Sequence, residues 1–79
     1  MATIRFFAQA REAAGSSSLQ CAGTTVEDVL ATAIAQCGEE LARVVAMSKV
    51  WLNGEEVPRD HAVTDKDEVA VLPPVSGGI

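Results

Sequence analysis

Chemistry has few places to sit in this sequence. The single histidine, His61, lies in the charged loop PRDHAVTDKD with no second His or Cys nearby, so it reads as a solvated side chain, not a metal ligand or a base. Cys21 and Cys37 are too few and too far apart in sequence for a zinc or iron–sulfur motif, and they read as small core thiols. No residues form an acid–base or nucleophile–base pair, and a stand-alone enzyme is not expected. What remains is the end, LPPVSGGI, residues 72–79. Pro73 and Pro74 stiffen the exit from a β-branched strand, and Gly77 and Gly78 then remove every side chain. Glycine loses the most conformational entropy when it is fixed, so this pair is poor core material and suits an arm that must thread a narrow channel.

The other residues have to hold that arm. At 79 residues the chain predicts one domain, and a domain of this size buries only roughly 60–65% of its unfolded surface, leaving little room for a catalytic cleft. Its boundaries are expected at 1–74 for the folded part and 75–79 for a flexible C-terminal tail. Six Lys+Arg against 11 Asp+Glu give a net charge of −5, which argues against nucleic acid or an anionic membrane as partner and favours a basic docking face on another protein. No run approaches the ~20 apolar residues of a membrane span. MATIRFFAQAREAAG carries charges where a signal peptide is apolar, so the expected location is the cytoplasm.

Periodicity supplies the elements. TIRFFA alternates, with Ile4 and Phe6 inward and Phe7 outward. QAREAAG predicts a short helix closed by Gly15, and Ser18 to Cys21 a second strand in a hairpin with the first. In TTVEDVLATAIAQCG, the residues Val26, Val29, Leu30, Ala33, Ile34 and Cys37 make one stripe of a 3.6-residue period. Thr24 with Glu27 fits a capping box, and Gly38 closes the helix. EELARVVA predicts a further short helix with Leu41, Val44 and Val45 inward. KVWLNGEEV is a hairpin with a type I′ turn at Asn53-Gly54, which leaves Trp51 on the face opposite Val50 and Leu52, and EVAVL is the last strand. The sum is α+β: a mixed sheet of about five strands covered by one main helix. With the first and last strands parallel at its centre, it is a β-grasp.

FFAQAREAAG, TVEDVL, the hairpin LNG and above all TDKDEVAVLPPVSGG resemble the MoaD/ThiS family of ubiquitin-like sulfur carriers through Gly78. FFAQARE and PPVSGG favour its molybdenum-cofactor branch, the small subunits of molybdopterin synthase, over the thiamin branch. The resemblance implies that the active group is the chain's own C-terminal carboxylate. An E1-like adenylating enzyme (MoeB-like), using ATP and Mg, makes the acyl-adenylate, and a persulfide donor converts it to a thiocarboxylate. A MoaE-like large subunit, in a heterotetramer, then uses the thiocarboxylate on cyclic pyranopterin monophosphate. No cofactor or metal is bound by the chain itself. By position, Gly78 accepts AMP and then sulfur, Gly77 is its slender neighbour, and Val75 and Ser76 are tail contacts. Phe7, Leu72 and Pro73 match the family's exposed apolar patch, and Arg11 a polar rim contact.

One residue departs from the family pattern. Ile79 follows the second glycine and places a β-branched side chain where the family ends, which implies trimming by a peptidase, a residue left by cloning, or loss of function. Other outcomes consistent with the residues are a carrier for thiamin or cysteine synthesis, a ubiquitin-like modifier joined to lysines through Gly78, and an inert β-grasp interaction module.

Overall fold

Alternation along the first strand decides which side of the sheet becomes the core. In the computed structural model, which describes residues 1–74, β1 (Ala2–Phe6) buries Ala2, Ile4 and Phe6 and turns Thr3 and Arg5 to the other face. The chain then forms α1 (Gln9–Ala14), β2 (Ser18–Cys21), α2 (Val26–Cys37), α3 (Glu39–Ala46), β3 (Lys49–Leu52), β4 (Glu55–Glu56) and β5 (Glu68–Leu72). The sheet order is β2-β1-β5-β3-β4. β1 and β5 are parallel at its centre and the other pairs antiparallel, the β-grasp arrangement expected from the sequence.

The helices cover one face of this sheet. Val26, Val29, Leu30 and Ala33 of α2 are buried against it, while Ile34 and Cys37, the outer part of the expected stripe, are only partly covered. α3 adds Leu41, Val44 and Val45, and α1 adds Ala10, so the two short helices complete the cover that α2 begins. Each fully buried Val, Leu or Phe contributes roughly 1.5–3 kcal/mol, which makes this layer the main source of stability.

The helix ends follow local rules with one correction. Gly15 closes α1 in the left-handed conformation at φ 73°, its N–H donating to the Arg11 carbonyl. The cap of α2 is Thr25, one residue later than the Thr24–Glu27 box expected from the sequence. Its Oγ1 accepts from the Asp28 N–H at 3.1 Å, while the Thr24 hydroxyl donates to the Asp28 carboxylate at 3.0 Å. The shift has a tertiary cause. Val26 N–H donates to the His61 carbonyl and Val63 N–H to the Thr24 carbonyl, so the following loop pins the entry and starts the helix at Val26. Of the two thiols, Cys21 is wholly buried, and burial foremost, with Cys37 nearby, pushes it up in pKa; Cys37 is half-buried, its Sγ 3.7 Å from the Ala14 carbonyl.

Asn53 and Gly54 take φ of 51° and 89°, the positive pair a type I′ turn requires. Asn53 also locks the hairpin to β5. Its Nδ2 donates to Asp67 Oδ1 at 2.9 Å, and its Oδ1 accepts from the Glu68 N–H at 2.9 Å. The Thr64 N–H donates to the other Asp67 oxygen at 2.8 Å. These bonds favour the ionised carboxylate, the one from Asn53 most, and hold Asp67 below the usual aspartate range. A carboxyl whose folded pKa lies below its unfolded value adds stability above the unfolded pKa, and that stability is lost as pH falls through the folded one. Denaturant midpoints are therefore expected to fall below about pH 4. Asp67→Asn should be less stable at pH 7 and show a shallower acid decline.

Candidate functional site

The parallel pair at the sheet centre brings two chain continuations to one end. Arg5 lies opposite Ala70 and Phe6 opposite Val71, so the next step of that register sets Phe7 beside Leu72. Beyond them β1 turns into α1 and β5 runs into Pro73 and Pro74, where the described residues stop. Phe7 is 41% exposed, the one aromatic among the large exposed apolar residues described. Leu72 and Pro73 are half-buried, and Arg11 is exposed on α1 a turn beyond Phe7. The structure thus gathers Phe7, Leu72 and Pro73 at the end of β5, from which residues 75–79 continue. Val75, Ser76, Gly77, Gly78 and Ile79 lie outside the described residues.

Phe7, outward by the alternation of β1, is followed by an unusual backbone. Ala8 has φ 52° and ψ −125°, a region that suits glycine, and the Ala10 N–H donates to the Phe7 carbonyl at 3.0 Å across this turn. Arg11 N–H then donates to the Ala8 carbonyl at 3.1 Å and α1 begins. Such a conformation costs a non-glycine residue on the order of 1–3 kcal/mol. Ala8→Gly should therefore raise stability by about 1 kcal/mol, read as a higher urea midpoint. The sequence carries no sign of this turn, because Ala8 is an ordinary residue between the alternating strand TIRFFA and the helix QAREAAG.

The face of the sheet away from the helices is uncovered. Across it Arg5, Ala70 and Trp51 form one row, and Leu72 with Lys49 the next, nearer the exit. It carries both signs of charge. Arg5 lies 3.6 Å from Glu68, an exposed pair that contributes little to stability. Trp51 is half-buried there, with Nε1 shielded from solvent and bonded to no acceptor. Elsewhere, a groove of about 400 Å³ between α1 and α3 is lined by Gln9, Glu12, Ala13, Glu40 and Val44. His61 is exposed, its Nδ1 2.8 Å from the Ala62 carbonyl. Among the described residues no three His, Cys, Asp or Glu side chains gather as metal ligands, and no helix is long and apolar enough to cross a membrane.

A five-stranded mixed sheet with parallel central strands and helices on one face is the architecture of the ubiquitin-like β-grasp proteins. Within that class the chain belongs to the ThiS family, which residues 4–78 match, ending at the second glycine of the arm. A protein named molybdopterin synthase sulfur carrier subunit from Haemophilus influenzae is 37% identical over 86 residues, covering 99% of this chain and 100% of that one. Its namesake from Escherichia coli is 38% identical over 82 residues, again covering 99% and 100%. The crystal structure of SAMP1 from Haloferax volcanii superposes with a TM-score of 0.86 at 31% identity and covers 98% of both chains.

Proposed function

We propose that this chain is the sulfur-carrier subunit of a molybdopterin synthase, with the carboxylate of Gly78 as its working group. What carries the reading is the end-to-end likeness to two proteins of that name, extending through the glycine pair. A carboxylate is a poor electrophile until one oxygen becomes part of a good leaving group. An E1-like enzyme supplies that step, using ATP and Mg to form the acyl-adenylate. Attack by the donor's persulfide sulfur expels AMP and forms an acyl disulfide, and a thiol then attacks the donor's sulfur of that S–S bond, ending as a disulfide with the donor and releasing the thiocarboxylate on Gly78. This anion is the nucleophile that the large subunit directs at cyclic pyranopterin monophosphate. The carrier itself supplies reach and slimness: two residues without Cβ, and two prolines that reduce the entropy lost when the arm docks.

The adenylate forms at Gly78 only when Gly78 is terminal, so whatever follows it has to be removed first, Ile79 included. Phe7, Leu72 and Pro73 are the apolar contact that seats the large subunit around the arm, with Val75 and Ser76 inside its channel and Arg11 at the rim. The chain holds no cofactor of its own and works in the cytoplasm as half of a heterotetramer. The test is reconstitution. Thiocarboxylated chain ending at Gly78, mixed with the large subunit and cyclic pyranopterin monophosphate, should yield a pterin that gains two sulfurs by mass, and no sulfur transfer would overturn the reading. The likeness to SAMP1, a small archaeal modifier protein, favours a second reading as a protein modifier. Isopeptide-linked adducts of the Gly78-ended chain on lysines would support it.

A further inference from the structure

Resting on the carrier reading above, we propose that Trp51 is a specificity-determining anchor of the face that docks on the large subunit, donating its indole N–H to an oxygen of that partner.

Placement comes first. β3 and β5 pair Leu52 with Val69, Trp51 with Ala70, Val50 with Val71 and Lys49 with Leu72. Val50 and Leu52 are buried in the core, so Trp51 and Lys49 point to the opposite, uncovered face together with Ala70 and Leu72. On the far side of Ala70 stands Arg5. The small Ala70 side chain thus stands between the indole of Trp51 and the guanidinium of Arg5 in one row of the sheet. Leu72 follows on the same face and leads directly into Pro73 and the arm. From Leu72 to Gly78 the chain reaches at most about 20 Å when fully extended, so a protein that takes Gly78 into an active site lies close to this face.

Area favours the large subunit as occupant. A lasting subunit contact buries about 1,600 Å² in total, more than Phe7, Leu72 and Pro73 supply at the exit. A tryptophan adds on the order of 150–250 Å². Trp51 extends the patch across the open sheet without a break, through Ala70.

The indole nitrogen gives the second, independent observation. Among the described residues it is the one buried side-chain polar atom with no hydrogen-bond partner. Such a donor lowers stability, and phenylalanine would fill the same position on the sheet without that cost. No described residue accepts from this N–H. Because its water has already been stripped, an acceptor brought by a partner gains the bond without a further desolvation loss at the donor, and it does so in a low-dielectric setting that strengthens it. Glu56, opposite Trp51 on the two-residue edge strand, and Lys49, two residues before it on β3, are both exposed and flank the indole on this face.

The experiment is calorimetric titration of the purified large subunit with the otherwise wild-type chain ending at Gly78, and with Trp51→Phe, Trp51→Ala and Phe7→Ala made in that chain, alongside urea unfolding of each. Trp51→Phe keeps the ring and removes the donor. It should unfold at the same or a higher midpoint and yet bind about 10-fold more weakly, the effect of one lost hydrogen bond. Trp51→Ala should weaken binding further. If Phe7→Ala weakens binding while Trp51→Phe stays within twofold of the parent chain, the anchor is overturned and the carrier reading stands. If the parent chain ending at Gly78 does not bind the large subunit, both fall together.

Discussion

A chain ending at Gly78, incubated with the E1-like enzyme, ATP, Mg and a persulfide donor, should gain about 16 Da, the exchange of one oxygen for sulfur at an acyl group. The same chain carrying Ile79 should keep its mass. This is the largest effect expected of any single change in the molecule, a difference between complete conversion and none. The reason is steric before it is chemical. An adenylating site built around a terminal glycine has no room for a β-branched side chain, and with Ile79 present the Gly78 carbonyl is an amide with no carboxylate oxygen to offer. Intact mass spectrometry reads both outcomes directly. Sulfur gain on the Ile79 chain without loss of Ile79 would show that the acceptor is not Gly78.

Phe7→Asp should have the second-largest effect, on association and not on folding. The ring is 41% exposed and lies at the end of the sheet beside the exit of the arm, so removing it takes little from the core. In a docked complex the same position becomes buried, and a carboxylate there loses apolar contact and is desolvated without a partner. Losses at such anchors run from about 2 to 4 kcal/mol, or roughly 30- to 1,000-fold in affinity for the large subunit. Calorimetric titration should show that loss while the thermal midpoint moves by only a few degrees. Unchanged affinity would remove Phe7 from the interface. A collapse of the midpoint would assign it to the core instead.

Much of this molecule is written in local patterns. The alternation of TIRFF, the helical stripe from Val26 to Ala33, the Asn53-Gly54 turn and the glycine stop at Gly15 each depend on neighbours within a few residues, and each appears in the structure where the sequence puts it. The misplacement of the α2 cap is instructive because Thr24 and Thr25 are equally able to cap. The choice between them came from His61 and Val63, far along the chain. The strain at Ala8 was invisible for a related reason, since the residue is ordinary and the demand on it arises only where β1 has to turn back into α1.

The sequence by itself determined the elements, the inward faces, and the Pro73-Pro74 and Gly77-Gly78 pairs that follow the last strand. Period and composition are local properties, and the glycine pair at 77–78 is a plain fact of the residues. Only the tertiary structure decided that Phe7 stands beside Leu72, and that Trp51 shares their face across Ala70. Which strand pairs with which, and in what register, is settled by how the two sides of the sheet bury Ile4, Phe6, Val50, Leu52, Val69 and Val71 together under the helices. A one-residue slip of any of these strands would turn its own core side chains outward, so the cooperative core, and no local signal, sets which residues share the open face.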